Sequence, residues 1–237
     1  MGDYNNGRVQ KVNEIEDINQ ALIDFSEGSE ALYHLLKFCY ENNIETRACC
    51  KGHPGETSKA YVLFSSSALE YFSMILEATP VCDFEISYTQ SNRFKEAQVA
   101  VYNNSKDQSE KGNENFFNNI HSCLRVELEQ NQTRRPEVFE RVDKISSCLQ
   151  ETFFFKDFEP CLDIESNEKA ETDYWLYIIP KGSISLGSRS QIYSEKEALE
   201  QIEKGNLAQL GSLKLNEEEF YEVTDKMLGL FKKSNSK

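Results

Sequence analysis

Apolar residues recur every three or four positions over 14–25, where Ile15, Ile18, Leu22 and Ile23 share one side of a helical wheel. The same spacing returns over 30–41 in Ala31, Leu32, Leu35, Leu36 and Cys39. Both stretches predict amphipathic helices. Ser26-Glu27-Gly28-Ser29 separates them, and Asn42-Asn43 suits a left-handed stop after the second. The period then drops to two. Over 44–50, Ile44, Thr46, Ala48 and Cys50 fall on one side of a strand, with Glu45, Arg47 and Cys49 on the other. A loop over 51–58 leads to a second strand at 59–64.

Ser67-Ala68-Leu69-Glu70 has the form of a capping box, predicting a helix through Leu76 that Pro80 ends. Alternation in Phe84, Ile86 and Tyr88, and again in Ala97, Val99 and Val101, predicts two strands joined by a turn at Ser91-Asn92. Positions 104–113 are polar and turn-rich, which reads as a linker. Two helical stripes follow, one through Phe117, Ile120, Leu124 and Leu128, the other through Val138, Val142, Ile145 and Leu149. Pro136 suits the first turn of the latter. An aromatic-rich piece at 153–158 and an acidic loop at 163–172 precede a strand at 174–179. A serine-rich hairpin turn then carries Gly182 and Gly187. Ser194-Glu195-Lys196-Glu197 and Asn216-Glu217-Glu218-Glu219 resemble capping boxes, predicting two C-terminal helices.

Together these elements predict an α+β fold, with mixed or antiparallel sheets, amphipathic helices packed on one face, and two subdomains. The expected layout is a flexible tail at 1–12, an α+β subdomain of order ααββαββ at 13–103, and the linker at 104–113. A second α+β subdomain at 114–233 holds a helix pair, strands and the two final helices.

Composition narrows the function classes. Hydrophobic residues at 39% and charged residues at 28% are too apolar for a disordered chain. No apolar run approaches the roughly 20 residues that span a bilayer. The N-terminus lacks a basic region followed by an apolar one, so a cytoplasmic location is expected. Seven cysteines, an odd number without framework spacing, suit a reducing compartment. A net charge of −14 repels phosphate backbones and anionic lipid, so neither nucleic acid nor a membrane is an expected partner. That leaves a small molecule or a protein.

Reactive side chains gather beside permissive backbone only in the 45–59 hairpin. Arg47, Lys51, Gly52, Gly55 and Lys59 form a candidate anion-binding set. Its cations give a local charge of +2 after Glu56, and its glycines can present N–H groups. Binding of a small or anionic ligand there, by a regulatory module, is the leading expectation. Cys49 or Cys50 with His53 is the second, as the nucleophile and base of a hydrolase or transferase. If Cys50 faces the core with Ala48, Cys49 is the thiol left on the Arg47 face. The third is a zinc-stabilised interaction module. Cys50-x-x-His53 has half of a zinc-knuckle spacing, but no second half exists in the chain, so no metal is expected unless other elements supply ligands.

Overall fold

The computed structural model describes residues 17–54, 58–91, 96–130, 133–151, 158–180, 192–193, 195–204 and 212–234. The 1–12 tail, Gly55, the aromatic positions 153–155, the turn with Gly182 and Gly187, and the Ser194 cap lie outside them.

The first helical stripe forms α1 (Ile18–Phe25), capped by the Asp17 carboxylate, which accepts from the Gln20 N–H at 3.1 Å. The second forms α2 (Glu30–Glu41), capped by the Ser29 hydroxyl. Asn43 stops it in the left-handed region at φ +58°. The order continues as β1 (Thr46–Cys50), β2 (Tyr61–Ser65), a 3-10 turn (Ser66–Tyr71), α3 (Ser73–Cys82), β3 (Phe84–Ser91) and β4 (Glu96–Asn103). Then come α4 (Glu110–Gln130), α5 (Glu137–Glu151), β5 (Phe158–Ser166) and β6 (Thr172–Pro180). The described chain closes with β7 (Ile192–Tyr193), α6 (Glu195–Glu203), β8 (Ser212–Leu215) and α7 (Glu217–Ser234).

Three local expectations need correction. Ser67 opens no capped α-helix. Its hydroxyl pairs with that of Ser65 at 2.7 Å, and Ser65 also donates to Glu45 at 2.9 Å, so these serines tie a 3-10 turn to the start of β1. Pro80 lies inside α3 rather than ending it. In the last turns a proline forgoes a single backbone bond, and the helix stops at Asp83, left-handed at φ +50°. Part of the acidic loop is strand. Leu162 and Ile164 of β5 enter the core, while Glu159, Cys161, Asp163 and Glu165 alternate with them.

The strands form one sheet in the order β1-β2-β4-β3-β5-β6-β8-β7. Every neighbouring pair is antiparallel except β8 with β7. The segments on either side of 104–113 contribute adjacent strands, since Ser87 of β3 faces Asp163 of β5. Alternation sorts each strand onto two faces. Val62, Phe64, Ile86, Tyr88, Val99, Val101, Leu162, Ile164 and Leu176 join one core with α1 to α5 and α7. Cys161, Trp175, Tyr177 and Ile179 make a separate buried group on the opposite face. This is an α+β fold, and among the described residues no helix is long and apolar enough to cross a membrane.

Helix α4 organises its neighbours through two carboxylates. Glu114 accepts from the Ala31 N–H of α2 at 2.7 Å, and Glu127 from the Met74 N–H of α3 at 3.0 Å. Each meets an N-terminal donor that the helix itself leaves unpaired, at the positive end of its dipole. Glu127 is 4% exposed, and burial raises its pKa above the ordinary carboxylate value against that bond. Glu127→Ala should therefore destabilise the fold by roughly 1–2 kcal/mol, as cap losses do, whereas Glu127→Gln keeps an acceptor and should stay within about 0.5 kcal/mol. Urea unfolding of the two variants checks the pair. Equal losses would show that the charge, and not the acceptor, holds α3.

Candidate functional site

The mouth of the β1–β2 hairpin is shaped by one extra residue. Thr46 faces Phe64 and Ala48 faces Leu63, so Arg47 is a β-bulge that opposes no single partner. A bulge resets the alternation beyond it. Cys49 then lies opposite Val62, on the helix-covered face, and Cys50 opposite Tyr61 on the other. The expected faces are thus exchanged. Ala48 is exposed, and Cys49 packs against the core.

The two thiols differ sharply as a result. Cys49 donates to the Phe25 carbonyl at 3.4 Å. Burial pushes its pKa up to about 12, with smaller contributions from the Glu27 carboxylate and Cys50. It is a thiol at neutral pH, without the thiolate that attacks electrophiles. Cys50 is half-buried and accepts the Gly52 N–H at 3.4 Å.

Gly52 makes that contact possible. Its φ is +78°, and the chain turns back so closely that a Cβ would lie 2.6 Å from Asn113 Nδ2 and 2.9 Å from the Ala60 nitrogen. Asn113 is itself buried and accepts from Asn103 at 2.8 Å. The hairpin mouth is therefore seated on the first turns of α4.

The α1–α2 turn completes the site. Glu27 is left-handed at φ +52°, and its carboxylate accepts the Lys51 N–H at 3.3 Å. Lys51 Nζ donates to the Glu27 carbonyl at 2.9 Å. The Glu27 carboxylate, Cys50 sulfur and a His53 ring nitrogen all lie within 4.8 Å of one another. Among the described residues this is the one group of three such ligand atoms so close together. Cys50 and His53 were legible from their spacing. Glu27 was not, because its position depends on how two helices dock on the hairpin.

The cations of the candidate anion set are engaged elsewhere. Arg47 pairs with Glu45 at 3.1 Å, and Lys59 pairs with Glu85 at 2.7 Å and donates to Asn104 at 2.8 Å. Lys51 is turned to the Glu27 backbone, and Gly55 lies outside the described residues. With Glu27 added, the charge of Lys51 beside Cys50 and His53 is offset, and the group is no longer basic.

No protein-family model matches the chain, and no curated protein or solved structure matches it.

Proposed function

We propose that the protein is a zinc-dependent binding module, in which Glu27, Cys50 and His53 hold the ion and a small anionic ligand or water takes the fourth position. The observation that carries this reading is the convergence of carboxylate, thiol and imidazole within 4.8 Å. One oxygen, one sulfur and one nitrogen donor form a set that zinc accepts in tetrahedral geometry, and three protein ligands leave one position open. The Gly52 N–H, directed at the Cys50 sulfur, is the outer hydrogen bond that a thiolate ligand gains from its surroundings. If Cys50 ionised beside Glu27, two anions would face each other, and a divalent cation between them relieves that repulsion. The expected preference for an anion is kept in altered form. It is the metal, and not Arg47 or Lys59, that would attract the ligand. The ion would also cross-link the α1–α2 turn to the hairpin, tying metal binding to stability.

A second reading uses the same three side chains, with Cys50 as nucleophile, His53 as base and Glu27 orienting the ring. One experiment separates the two. Protein purified without chelator should carry about one zinc per chain and lose it in Cys50→Ser and His53→Ala, with affinity falling about 100-fold or more. Removing zinc should lower Tm and expose Cys50, but not Cys49, to iodoacetamide. Metal-free protein whose Cys50 alkylates rapidly, with zinc absent at every stage, would sink the metal reading and favour the thiol enzyme.

A further inference from the structure

A cleft of about 660 Å³ lies where the β5–β6 turn meets the start of α7, far in sequence from the hairpin. Its walls carry Glu171, Asp173, Glu217 and Glu218, with Tyr174 and Tyr221 between them. Asn167 holds the turn side in place. Its Nδ2 donates to Asp173 at 3.1 Å and Glu171 at 3.5 Å, while its Oδ1 accepts from the Lys169 and Glu171 N–H groups. On the helix side a reciprocal capping box joins Asn216 and Glu219, at 2.7 and 2.9 Å.

Acids in the first turn of a helix are stabilised by its dipole, which by itself accounts for Glu217 and Glu218 without any ligand. Tyr174 is not explained that way. It is 8% exposed, its ring stacks on Phe220 at 5.2 Å, and among the described residues no hydrogen bond reaches its hydroxyl. Burial raises the pKa of that phenol, and the nearby Glu217 and Tyr221 raise it further. The ring is buried, while the hydroxyl keeps access to solvent and has no protein partner among the described residues. It borders a cleft whose Glu217 and Glu218 have no ion pair among the described residues. Only Asp173 is neutralised there, by Lys214 at 2.7 Å.

We infer that this cleft binds an aliphatic oligoamine, with its ammonium groups meeting Glu171, Glu217 and Glu218, one of them donating to the Tyr174 hydroxyl, and its methylenes lying along the tyrosine rings. The spread of the acids selects this class over a bare divalent ion. No three carboxylates here lie within 4.8 Å of one another, so one ion cannot collect them, whereas a chain of spaced ammoniums can. Ammonium over a tyrosine face adds a cation–π attraction.

Calorimetric titration of the full chain with spermidine, in about 150 mM salt to suppress diffuse counterion binding, tests this inference. The expected result is saturable one-to-one binding, weaker for butylamine. Glu217→Gln with Glu218→Gln should weaken it about tenfold, the factor that 1.4 kcal/mol represents. Both positions are exposed, so the fold survives, and circular dichroism confirms it. Tyr174→Phe, which keeps the stacked ring, should weaken binding about threefold, a typical single hydrogen bond. Glu41→Gln with Glu129→Gln makes the same charge change elsewhere and should leave binding unaltered. Equal loss in that control, absence of saturation, a Tyr174→Phe protein that binds like wild type, or tighter binding of calcium at the same carboxylates would each overturn the proposal.

Discussion

Replacing Gly52 with alanine should destabilise the protein by roughly 2–5 kcal/mol, the sum of two penalties. The backbone sits at φ +78°, where a Cβ meets the following carbonyl and costs about 1–2 kcal/mol. The methyl would also lie 2.6 Å from Asn113 Nδ2, 2.9 Å from the Ala60 nitrogen and 3.1 Å from the Ala60 Cβ. Overpacking of that kind typically costs about 1–3 kcal/mol. Asn113 cannot swing away cheaply, because it is 4% exposed and bonded to Asn103. Gly28 supplies the control. It is also left-handed, at φ +84°, but nothing lies within 4 Å of a built Cβ. Gly28→Ala should therefore show only the backbone penalty, about 1–2 kcal/mol. Urea denaturation of the two variants reads the difference directly. Similar losses at both glycines would mean that the hairpin mouth yields and is not wedged against α4. Because the Gly52 N–H also meets the Cys50 sulfur, Gly52→Ala should weaken any metal held there, an effect Gly28→Ala lacks.

Asp143→Ala should cost a similar amount, roughly 2–3 kcal/mol, by stranding two partners at once. The Tyr88 hydroxyl donates to Asp143 at 2.5 Å, and Arg135 reaches Asp143 at 2.5 Å and the Tyr88 oxygen at 2.7 Å. The three residues come from β3, α5 and the segment before α5, so the cluster clamps that segment to the sheet. Burial raises the pKa of the Asp143 carboxyl, against the bonds from Tyr88 and Arg135 that lower it. Removing one member of a fully buried pair typically costs about 3–5 kcal/mol. The side chains of Arg135 and Asp143 are 29% and 24% exposed, so water softens the loss and the lower figure applies. Tyr88→Phe removes only the hydroxyl, keeps the ring against Phe139 and leaves the ion pair in place. It should cost about 1 kcal/mol, one ordinary hydrogen bond. Thermal unfolding that ranks the phenylalanine variant as the worse of the two would show that the ring hydroxyl, and not the carboxylate, is the hub.

What could be read from the chain follows from the distance over which each cause acts. The stripe through Leu32, Leu35 and Leu36 forms α2 because helix periodicity is local, and the Asn216–Glu219 box closes as written for the same reason. β5 was hidden. Glu159, Asp163 and Glu165 look like loop composition, and only pairing with β3, 72 to 80 positions away, makes them the second face of a strand. The Arg47 bulge was hidden as well, since strict alternation assumes that no residue is extra. That single residue exchanged the faces of Cys49 and Cys50. In the candidate site, Cys50 and His53 were visible three positions apart, whereas Glu27 and Asn113 come from a turn and a helix that meet the hairpin only in the folded chain. Neither is marked by any short motif. The pairing of Lys59 with Glu85 likewise joins two strands, so one of the apparent local positive charges is neutralised on folding.

The two carboxylates of α4 make that helix a measuring rod. Glu114 and Glu127 are 13 positions apart, about 20 Å along the axis and a little over three and a half turns. Inserting or deleting one residue between them would rotate one carboxylate by about 100° relative to the other and break one of the two attachments. Sequence drift in this protein should therefore change the exposed side chains along that interval, yet keep the buried Phe117, Ile120 and Leu124 apolar and leave its length alone.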